Sequence, residues 1–465
     1  MKIQFFGAAQ EVTGSQFLLT VNDKRILVEC GLFQGRRAEA YAKNQHFKHD
    51  PKLIDAVLVT HPHMDHTGNL PLLVKQGFKG KIYGTPPTID LSQIMLRDSA
   101  HLQEKDLEWV NKIRFKKGEE PLKPLYTTAD VEACLDSFVA KTYDETFTLG
   151  PGINVRFHEA GHILGSAGIM FDINEKGKPI RLGFTGDIGR PNTPILRDPN
   201  YLRDLDILVM ETTYGNRLHG HLDDIEEELA TTIRNVAKGG GKVIIPSFAV
   251  GRTQHVVYLL HKLFDQDRIP DMPIYVDSPL ACHATDVYRS YPEYFDRETN
   301  RQFLNDHEDP FGFRRLKYIT ESAESKKLNG LTFPHIIISG SGMCEGGRIL
   351  HHLRNNIENH RNLILFVGYS ANETLGRKLM DGMKTVKIFG EPHEVKCQIK
   401  IIDAFSAHAD RRELLDYVAA TPPERLKHVV LVHGESEQSL PFRDALRSKG
   451  YENVYYPGME EVLTF

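Results

Sequence analysis

The chain has 465 residues, of which 40% are hydrophobic and 26% charged, and its formal net charge is −5. This length exceeds what one simple core supports, so we expect two domains, and the composition is that of an ordinary globular protein. The negative charge argues against a broad basic face for nucleic acid, so any such contact must be local or depend on the positive charge of metals. No apolar run approaches the roughly 18 residues of a membrane span. The N-terminus also lacks a signal core, so a cytoplasmic protein without a membrane partner is expected.

The cysteines and histidines point away from disulfides and toward metal or proton chemistry. The five cysteines are scattered, odd in number and never spaced as Cys-x-x-Cys, so we expect reduced structural thiols. The 22 histidines are many for a chain of this length.

The first 212 residues alternate short apolar runs with turns and predict a strand-rich domain with inserted helices. The predicted strands are Ile3–Phe6, Gln16–Val21, Arg25–Val28, Ala56–Thr60, Lys81–Tyr83, Ile153–Phe157, Gly168–Ile173, Arg181–Thr185 and Ile207–Met210. The predicted helices are Asn69–Gln76, Leu91–Lys117 and Thr128–Ala140, the last beginning at a TTAD capping segment.

After Glu211 helices alternate with short apolar runs, which predicts β-α-β units and a doubly wound parallel sheet. The predicted elements are helix Asp223–Ala237, strand Lys242–Pro246, helix Arg252–Phe264, strand Pro273–Val276, helix Ala281–Tyr291, strand His335–Ser339, helix Gly347–Ile357, strand Leu363–Val367 and helix Thr374–Asp381. Because metal-type segments reappear beyond Cys397, we expect an inserted domain at 213–395 between the N-terminal part (1–212) and C-terminal part (396–465) of the first domain.

Four candidate metal ligands lie within six residues of the segment THPHMDHT, directly after the apolar run Ala56–Val59. They are His61, His63, Asp65 and His66. Imidazole nitrogen and carboxylate oxygen are ligands that zinc prefers. Histidines of a polar loop without a metal are the alternative, but four ligands packed this closely after a strand favour a metal site.

Four later segments place an acid or an imidazole after a predicted strand or in a glycine-flanked turn. The residues are His162 in EAGHILGS, Asp187 in FTGDIG, His408 in FSAHAD and His433 in LVHGE. Each alone is more often an ordinary loop or turn residue. Loops that leave the same edge of a sheet converge, however, so we interpret the segments jointly.

Seven of these eight residues, all except His408, suffice as ligands for two metal ions. His61, His63 and His162 supply three nitrogens to the first ion, Asp65, His66 and His433 supply ligands to the second, and Asp187 bridges the two. Paired ions clamp the attacking and leaving oxygens of a phosphoryl displacement, and they lower the pKa of bound water to about 7.

At these residues the sequence resembles the metallo-β-lactamase superfamily and, more narrowly, the β-CASP nucleases related to the mRNA 3′-end cleavage endonuclease. The narrower resemblance rests on METTYG with Glu211, PSFAVGRTQ (246–254), DSPLA (277–281), SGSGMCEGGRILHHL (339–353) and the segments around His408 and His433. It implies an α/β fold, namely a metallo-β-lactamase αββα sandwich with an inserted doubly wound parallel α/β (β-CASP) domain.

The resemblance also implies a function, namely a zinc-dependent ribonuclease that cleaves single-stranded RNA endonucleolytically. Additional exonuclease activity is left open. His408 is then the general acid, Glu211 its acidic partner, and Asp65 a catalytic residue as well as a ligand. A histidine at the position of His433 is typical of members that act on RNA. Two Zn²⁺ per chain are implied, although Mn²⁺ or iron tolerates similar ligands, and a homodimer is left open.

Further residues are assigned by the same resemblance. Glu29 stands where the family usually has Asp, a residue that supports the metal loop from behind its ligands. Arg252 and Arg348 at helix starts, and Ser341 in the glycine-rich segment that opens a helix, are candidate RNA contacts from their positions alone. The alternatives are structural salt bridges for the arginines and a tight strand-to-helix turn for the segment of Ser341.

Two other functions stay open at this point. A catalytically silent scaffold subunit of an RNA-processing complex is one, although such relatives lose metal ligands. A metallohydrolase of another bond, such as a thioester or lactam, is the other, although that activity needs no large inserted domain.

Overall fold

A computed structural model describes residues 1–220, 225–303, 305, 307–368, 370–371, 373–402 and 405–465, without the side chains of Arg37 and Trp109. The chain forms two compact units. The first unit consists of Met1–Pro191, Asp198–Leu218 and His408–Phe465, and the second of Asn192–Arg197 and His219–Ala407.

The helices and strands follow one another along the chain in three stretches. Up to Leu218 they are β1 (Lys2–Gly7), β2 (Gln16–Val21), β3 (Lys24–Val28), α1 (Arg37–Asn44), β4 (Ala56–Leu58), α2 (Met64–Thr67), α3 (Leu70–Lys75), β5 (Lys81–Gly84), α4 (Pro86–Lys116), α5 (Thr128–Leu135), β6 (Phe138–Ala140), β7 (Phe147–Gly150), β8 (Ile153–Glu159), β9 (Ala167–Glu175), β10 (Lys178–Phe184) and β11 (Ile207–Glu211). The next stretch contains α6 (Ile225–Lys238), β12 (Val243–Pro246), α7 (Arg252–Asp265), β13 (Ile274–Val276), α8 (Pro279–Ser290), α9 (Arg297–Gln302), β14 (Leu316–Tyr318), α10 (Ser322–Leu328), β15 (Ile336–Ser339), α11 (Ile349–Asn356), β16 (Leu363–Phe366), α12 (Leu375–Met380), β17 (Thr385–Ile388), β18 (Glu391–Glu394) and β19 (Gln398–Ile401). The last contains α13 (Arg411–Ala419), β20 (His428–Val432), α14 (Ser436–Ser448), β21 (Val454–Tyr455) and β22 (Val462–Thr464).

The first unit is a sandwich of two sheets, with strand orders β22-β1-β2-β3-β4-β5-β6 and β21-β20-β11-β10-β9-β8-β7 among the described residues. One core lies between the sheets and contains side chains from both, for example Phe5 and Phe17 from the first sheet and Phe171 and Phe184 from the second. The C-terminal stretch of the chain supplies strands to both sheets, because β22 pairs with β1 and β20 pairs with β11.

Helices cover the outer faces of both sheets. Strand β11 shows how the sequence produces this layering, because all of its residues are buried and successive side chains point to opposite faces. Ile207 and Val209 face the core between the sheets, whereas Leu208 and Met210 pack with residues of α13 and α14. On the first sheet, Leu70 and Leu73 of α3 pack against the outer face. The layers are therefore helix, sheet, sheet, helix.

The second unit is built on a parallel sheet whose strand order, among the described residues, is β14-β13-β15-β12-β16-β19. From β12 the chain moves to one side, through α7 to β13, and from β15 it moves to the other side, through α11 to β16. Right-handed crossovers in opposite directions place α7 and α11 on opposite faces of the sheet. This is a doubly wound arrangement, so the fold class expected from the sequence is confirmed.

Several boundaries differ from those that the sequence predicts. The second unit consists of Asn192–Arg197 and His219–Ala407 rather than 213–395. It extends beyond residue 395 because β19 is hydrogen-bonded to β16 and so completes its sheet. The predicted helix Thr128–Ala140 ends at Leu135, because Phe138–Ala140 joins the edge of the first sheet as β6, beside β5. The predicted start at Asp223 lies outside the described residues.

The cysteines and the long helices also bear on the sequence-based expectations. All five cysteines are buried free thiols. Within the described ranges, no helix has both the length and the apolar composition needed to cross a bilayer.

Candidate metal centre

The candidate ligands and Glu211, the expected partner of His408, lie where strands of the sandwich end. His61–His66 follow β4, His162 follows β8, Asp187 follows β10, Glu211 ends β11 and His433 follows β20. Strands β10, β11 and β20 are parallel, and β8 runs in the same direction because β9 is antiparallel to both β8 and β10. The second sheet therefore delivers all of its candidate ligands to one edge.

Three imidazoles face one another in the first ligand group. His61 Nε2 lies 3.1 Å from His63 Nδ1, and His162 Nε2 lies 3.3 Å from the same His63 nitrogen. Neutral imidazole nitrogens that approach this closely repel one another unless a proton or a cation lies among them. The arrangement suits a metal ion that accepts nitrogen ligands.

The second ligand group consists of Asp65, His66 and His433, whose ligand atoms lie within 4.8 Å of one another. His433 Nε2 is 3.4 Å and His66 Nε2 4.0 Å from Asp65 Oδ2. Backbone hydrogen bonds hold the loop that carries two of these side chains, since Ser15 N–H donates to the carbonyl of Asp65 and Cys30 N–H to that of His66.

Asp187 lies between the two groups. Its Oδ2 is 3.3 Å from His61 Nε2 and 3.6 Å from His162 Nε2 in the first group. Its Oδ1 is 3.5 Å from His66 Nε2 in the second group. One carboxylate oxygen thus faces each group, which is the geometry that a bridging ligand requires.

Buried polar atoms without hydrogen bonds mark the same place. Asp187 Oδ1 and His66 Nε2 are both buried, and neither makes a hydrogen bond to the described residues. Leaving such atoms unsatisfied costs free energy unless another partner compensates. With the mixed nitrogen and oxygen donors around them, these atoms fit divalent metal ions.

The pKa values separate the histidines of the first group from those of the second. Burial, together with the neighbouring His66, lowers the pKa of His61 to about 3, and burial lowers that of His63 to about 4. These rings are neutral at pH 7 and offer lone pairs to a metal. Burial opposes protonation of His66 as well, but the carboxylates of Asp187 and Glu29 outweigh it and raise its pKa to about 10.

The carboxylate of Asp187 keeps its charge. Burial alone would raise the pKa of Asp187, but His433, His66 and His61 around it hold that pKa well below its usual value. An ionised aspartate at this position places negative charge between the two ligand groups, which favours divalent cations.

His408 stands beside the ligand groups and is fixed by Glu211. Its Nδ1 lies 3.1 and 3.2 Å from the two oxygens of Glu211, and its Nε2 is 4.0 Å from Asp187 Oδ2. Glu211 is itself anchored by the N–H groups of Ile188 and Thr213, at 2.6 and 3.3 Å. Burial opposes the charged form of His408, but Glu211 and Asp187 overcome it and raise the pKa of His408 to about 9.

Thr213 fixes the orientation of His433, and sequence reasoning missed it. The Thr213 hydroxyl donates its single proton to the carbonyl oxygen of His433 at 3.2 Å. The same hydroxyl oxygen lies 3.0 Å from His433 Nδ1, and when the hydroxyl donates to the carbonyl it accepts a proton from that nitrogen. The lone pair of a neutral ring is then on Nε2, which faces Asp65. The only signal in the sequence is that Thr213 lies two residues after Glu211.

Glu29 reaches the second ligand group in spite of its extra methylene. Its Oε1 is 3.4 Å from His66 Nδ1, and both of its oxygens accept from the N–H of Thr60 at 3.3 Å. Gly31, two residues later, lets the loop that carries His61–His66 lie close to its backbone, because a Cβ on Gly31 would lie 1.7 Å from the carbonyl oxygen of Asp65. The carboxylate therefore orients a ligand ring from behind.

We expect the Glu29→Gln variant to bind zinc about 10-fold to 100-fold more weakly. The neutral amide replaces the charged carboxylate that accepts from His66 Nδ1, and so supports the ring less well. Competition with a chromophoric chelator measures the affinity. Glu29→Asp is the matched control, since it keeps the charge and its left-handed backbone (φ 64°) suits Asp, and a smaller loss is expected. Equal zinc affinity in Glu29→Gln and the unmodified protein would contradict the assignment.

The three candidate RNA contacts all lie in the second unit, and the structure distinguishes among them. Arg348 makes the structural salt bridge that was the alternative for it, because its guanidinium donates to Asp277 Oδ1 at 2.7 Å and to the carbonyls of Ile319 and Thr320. Ser341 Oγ accepts from N–H groups of its own loop at 3.1 and 3.3 Å. The Arg252 guanidinium lies 5.6 Å from the ring centroid of Phe405.

A helix-sheet-sheet-helix sandwich with paired nitrogen and oxygen ligands at its strand ends defines a metal-binding hydrolase fold. Comparison with known families makes this more specific. The Metallo-beta-lactamase superfamily domain matches residues 18–180, the Beta-Casp domain residues 253–379, and the Zn-dependent metallo-hydrolase RNA specificity domain residues 392–457.

Similar proteins align with almost the whole chain. Ribonuclease TTHA0252 of Thermus thermophilus is 35% identical over 452 residues, which cover 97% of this chain and 97% of the relative. Transcription termination factor FttA of Methanocaldococcus jannaschii is 31% identical, covering 98% of this chain and 70% of the relative. FttA of Pyrococcus abyssi is 33% identical, with coverages of 97% and 69%. The chain therefore belongs to the β-CASP family of the metallo-β-lactamase superfamily.

A solved structure shares the fold. It is a protein of unknown function from Enterococcus faecalis V583, and it matches with a TM-score of 0.56 at 12% identity, covering 100% of this chain and 99% of that one. At this identity the match concerns the fold alone.

Proposed function

We propose that this protein is a zinc-dependent ribonuclease that hydrolyses phosphodiester bonds within single-stranded RNA. The observation that carries the proposal is the position of Asp187, whose two oxygens face two separate ligand groups beside His408. The Thermus thermophilus relative is named a ribonuclease, and an RNA specificity domain matches residues 392–457. Both observations support RNA as the substrate.

The two ligand groups would hold two zinc ions, with Asp187 contributing one oxygen to each. When bound, such ions supply an activated water as the nucleophile and positive charge that offsets the charge of the phosphate. The match to a Zn-dependent metallo-hydrolase domain supports zinc over the other metals that these ligands accept.

His408 would deliver the proton that the reaction requires. Because Nδ1 is committed to Glu211, the proton to be transferred is on Nε2, the nitrogen that faces the ligand groups. As the bond from phosphorus to the departing oxygen breaks, that oxygen takes the proton from Nε2. Glu211 orients the ring and favours its protonated form, so the acid is loaded at neutral pH.

We expect the purified protein to linearise a circular, labelled single-stranded RNA, because a circle has no ends and can be opened only by internal cleavage. Treatment with a zinc chelator should abolish the reaction, and added zinc should restore it. Elemental analysis should find about two zinc ions per chain, one for each ligand group. A circular DNA of the same sequence should remain uncut.

Two histidine variants make this test specific. His63→Ala should lose cleavage, because His63 Nδ1 faces both other nitrogens of its group. His158→Ala is the matched control from the same unit, since that ring pairs with Asp144 at 2.7 Å and belongs to neither group. Cleavage by the chelated protein or by His63→Ala would overturn the proposal. So would hydrolysis of a thioester or lactam with intact RNA, or an inactive protein with far less than two zinc ions.

A further inference from the structure

Phe248 is an exposed aromatic side chain in the segment PSFAVGRTQ, two residues beyond the end of β12. Its side chain is 38% exposed. The sequence alone assigns no function to Phe248. The ring is therefore accessible to a ligand at this strand end.

Hydrogen bonds hold the backbone of Phe248 in place. Its carbonyl oxygen accepts from Thr253 N–H at 3.2 Å, from Thr253 Oγ1 at 2.7 Å and from Ser247 Oγ at 3.3 Å. The N–H of Ser247 in turn donates to the carbonyl of Ser339 on the neighbouring strand β15. The ring is therefore presented from a fixed backbone, so a ligand that stacks on it pays little ordering entropy.

Glycines make room for the ring. A Cβ on Gly342 would lie 2.9 Å from Phe248 Cδ2 and 3.0 Å from its Cε2, so any side chain there would displace the ring. A Cβ on Gly368 would lie 3.9 Å from both Phe248 Cε2 and Arg252 Nε. The phenyl ring and the guanidinium group thus border the same glycine.

The position in the sheet is one where ligands bind. Strands β12 and β15 are neighbours, and the helices that follow them, α7 and α11, lie on opposite faces of the sheet. In open parallel sheets, the crevice outside the carboxyl ends of two such strands is the usual ligand site. The loops that leave these two ends contain Phe248 and the glycine-rich segment 340–347.

We propose that Phe248 is a base-stacking subsite for single-stranded RNA, with Arg252 beside it serving the adjacent phosphate or base. This inference rests on the proposed ribonuclease function and deepens it. A rigid phenyl face accepts any base, because every base has a π face, and cationic side chains beside aromatic platforms are typical of sites for single strands. The second unit would thereby bind RNA without regard to sequence.

The experiment measures binding of a fluorescein-labelled single-stranded RNA by the full-length chain, under chelation so that the RNA is not cut. We expect Phe248→Ala to raise Kd by roughly 10-fold to 100-fold, the range for removal of one stacked base. Phe248→Tyr, which keeps the aromatic face, should bind within about twofold of the unmodified protein. Phe248→Leu, which keeps apolar bulk without a π system, should resemble Phe248→Ala.

Abasic substitution locates the stacked base. RNAs that lack one base at successive positions should bind the unmodified protein more weakly when the missing base is the stacked one. The same series should show no such position with Phe248→Ala, because the double change removes only one interaction. Phe333→Ala is the matched control, since Phe333 is 44% exposed in the same unit but precedes β15 at the opposite end of the sheet. It should leave Kd unchanged.

The outcomes distinguish a failure of the Phe248 subsite from a failure of the proposed ribonuclease function. Unchanged Kd for Phe248→Ala in a protein that still cleaves RNA would overturn the subsite and leave the ribonuclease standing. Wild-type affinity in Phe248→Leu would also overturn it, since a nonspecific apolar contact would then suffice. An unmodified protein that neither binds nor cleaves RNA would overturn the proposed function itself. Thermal unfolding midpoints equal to that of the unmodified chain show that each variant is folded.

Discussion

Asp187→Asn is expected to reduce RNA cleavage by about 10³-fold or more and to leave the protein with well under two zinc ions. The amide keeps the size of the side chain but lacks the charge and one of the two ligand oxygens. Metal ions contribute several kcal/mol to stabilising the charge of such a transition state, and each 1.36 kcal/mol corresponds to a factor of ten in rate. Zinc content by elemental analysis and single-turnover cleavage of labelled RNA measure the two effects.

Asp206→Asn is the control for this variant. Asp206 is also a buried aspartate of the same unit, but it precedes β11 and pairs with Arg425 and with Lys427 Nζ at 2.9 Å. Its replacement should lower stability and leave zinc content and the rate per folded molecule unchanged. An Asp187→Asn protein that retains two zinc ions and full activity would show that Asp187 does not bridge the ligand groups.

His408→Ala is expected to slow cleavage by about 10²-fold to 10⁴-fold while zinc content stays the same, because a positioned general acid contributes a factor of this size. His408 is 21% exposed at its side chain and contacts Glu211, so its loss leaves both ligand groups intact. The rate should recover with RNA in which sulfur replaces the departing bridging oxygen (a phosphorothiolate linkage), because the thiolate departs without protonation. Loss of zinc together with activity would instead identify His408 as a ligand.

Glu211→Gln tests the same mechanism through pH. Glu211 raises the pKa of His408, and a general acid is active only below its pKa. Removing the negative charge lowers that pKa, so the alkaline limit of activity should move to lower pH, with the rate at low pH less affected. Initial rates between pH 5 and 10 measure the shift. An unchanged alkaline limit would contradict the pairing of Glu211 with His408.

Much of the centre could be predicted because its information is local in the chain. Four ligands lie between His61 and His66, directly after a buried strand, and such density is rare without a metal. His162, Asp187 and His433 could be added because each follows a strand, and strand ends of one sheet share an edge. The division into a strand-rich domain and a doubly wound sheet followed from the change in hydrophobic period after Glu211, since that period reports which faces are buried. The sandwich arrangement of the first domain was implied by the family resemblance.

The remaining features depend on distances between side chains that are remote in sequence, and periodicity contains no such distances. Strand β19 belongs to the second unit because it pairs with β16, and Arg348 forms an ion pair with Asp277 at 2.7 Å. The hydrogen bonding of Thr213 with His433 and the exposure of the Phe248 side chain likewise depend on tertiary packing. Residue types and their order therefore specify which elements and ligands exist, whereas the assembled fold specifies which side chains meet, because contact free energies act only over a few ångströms.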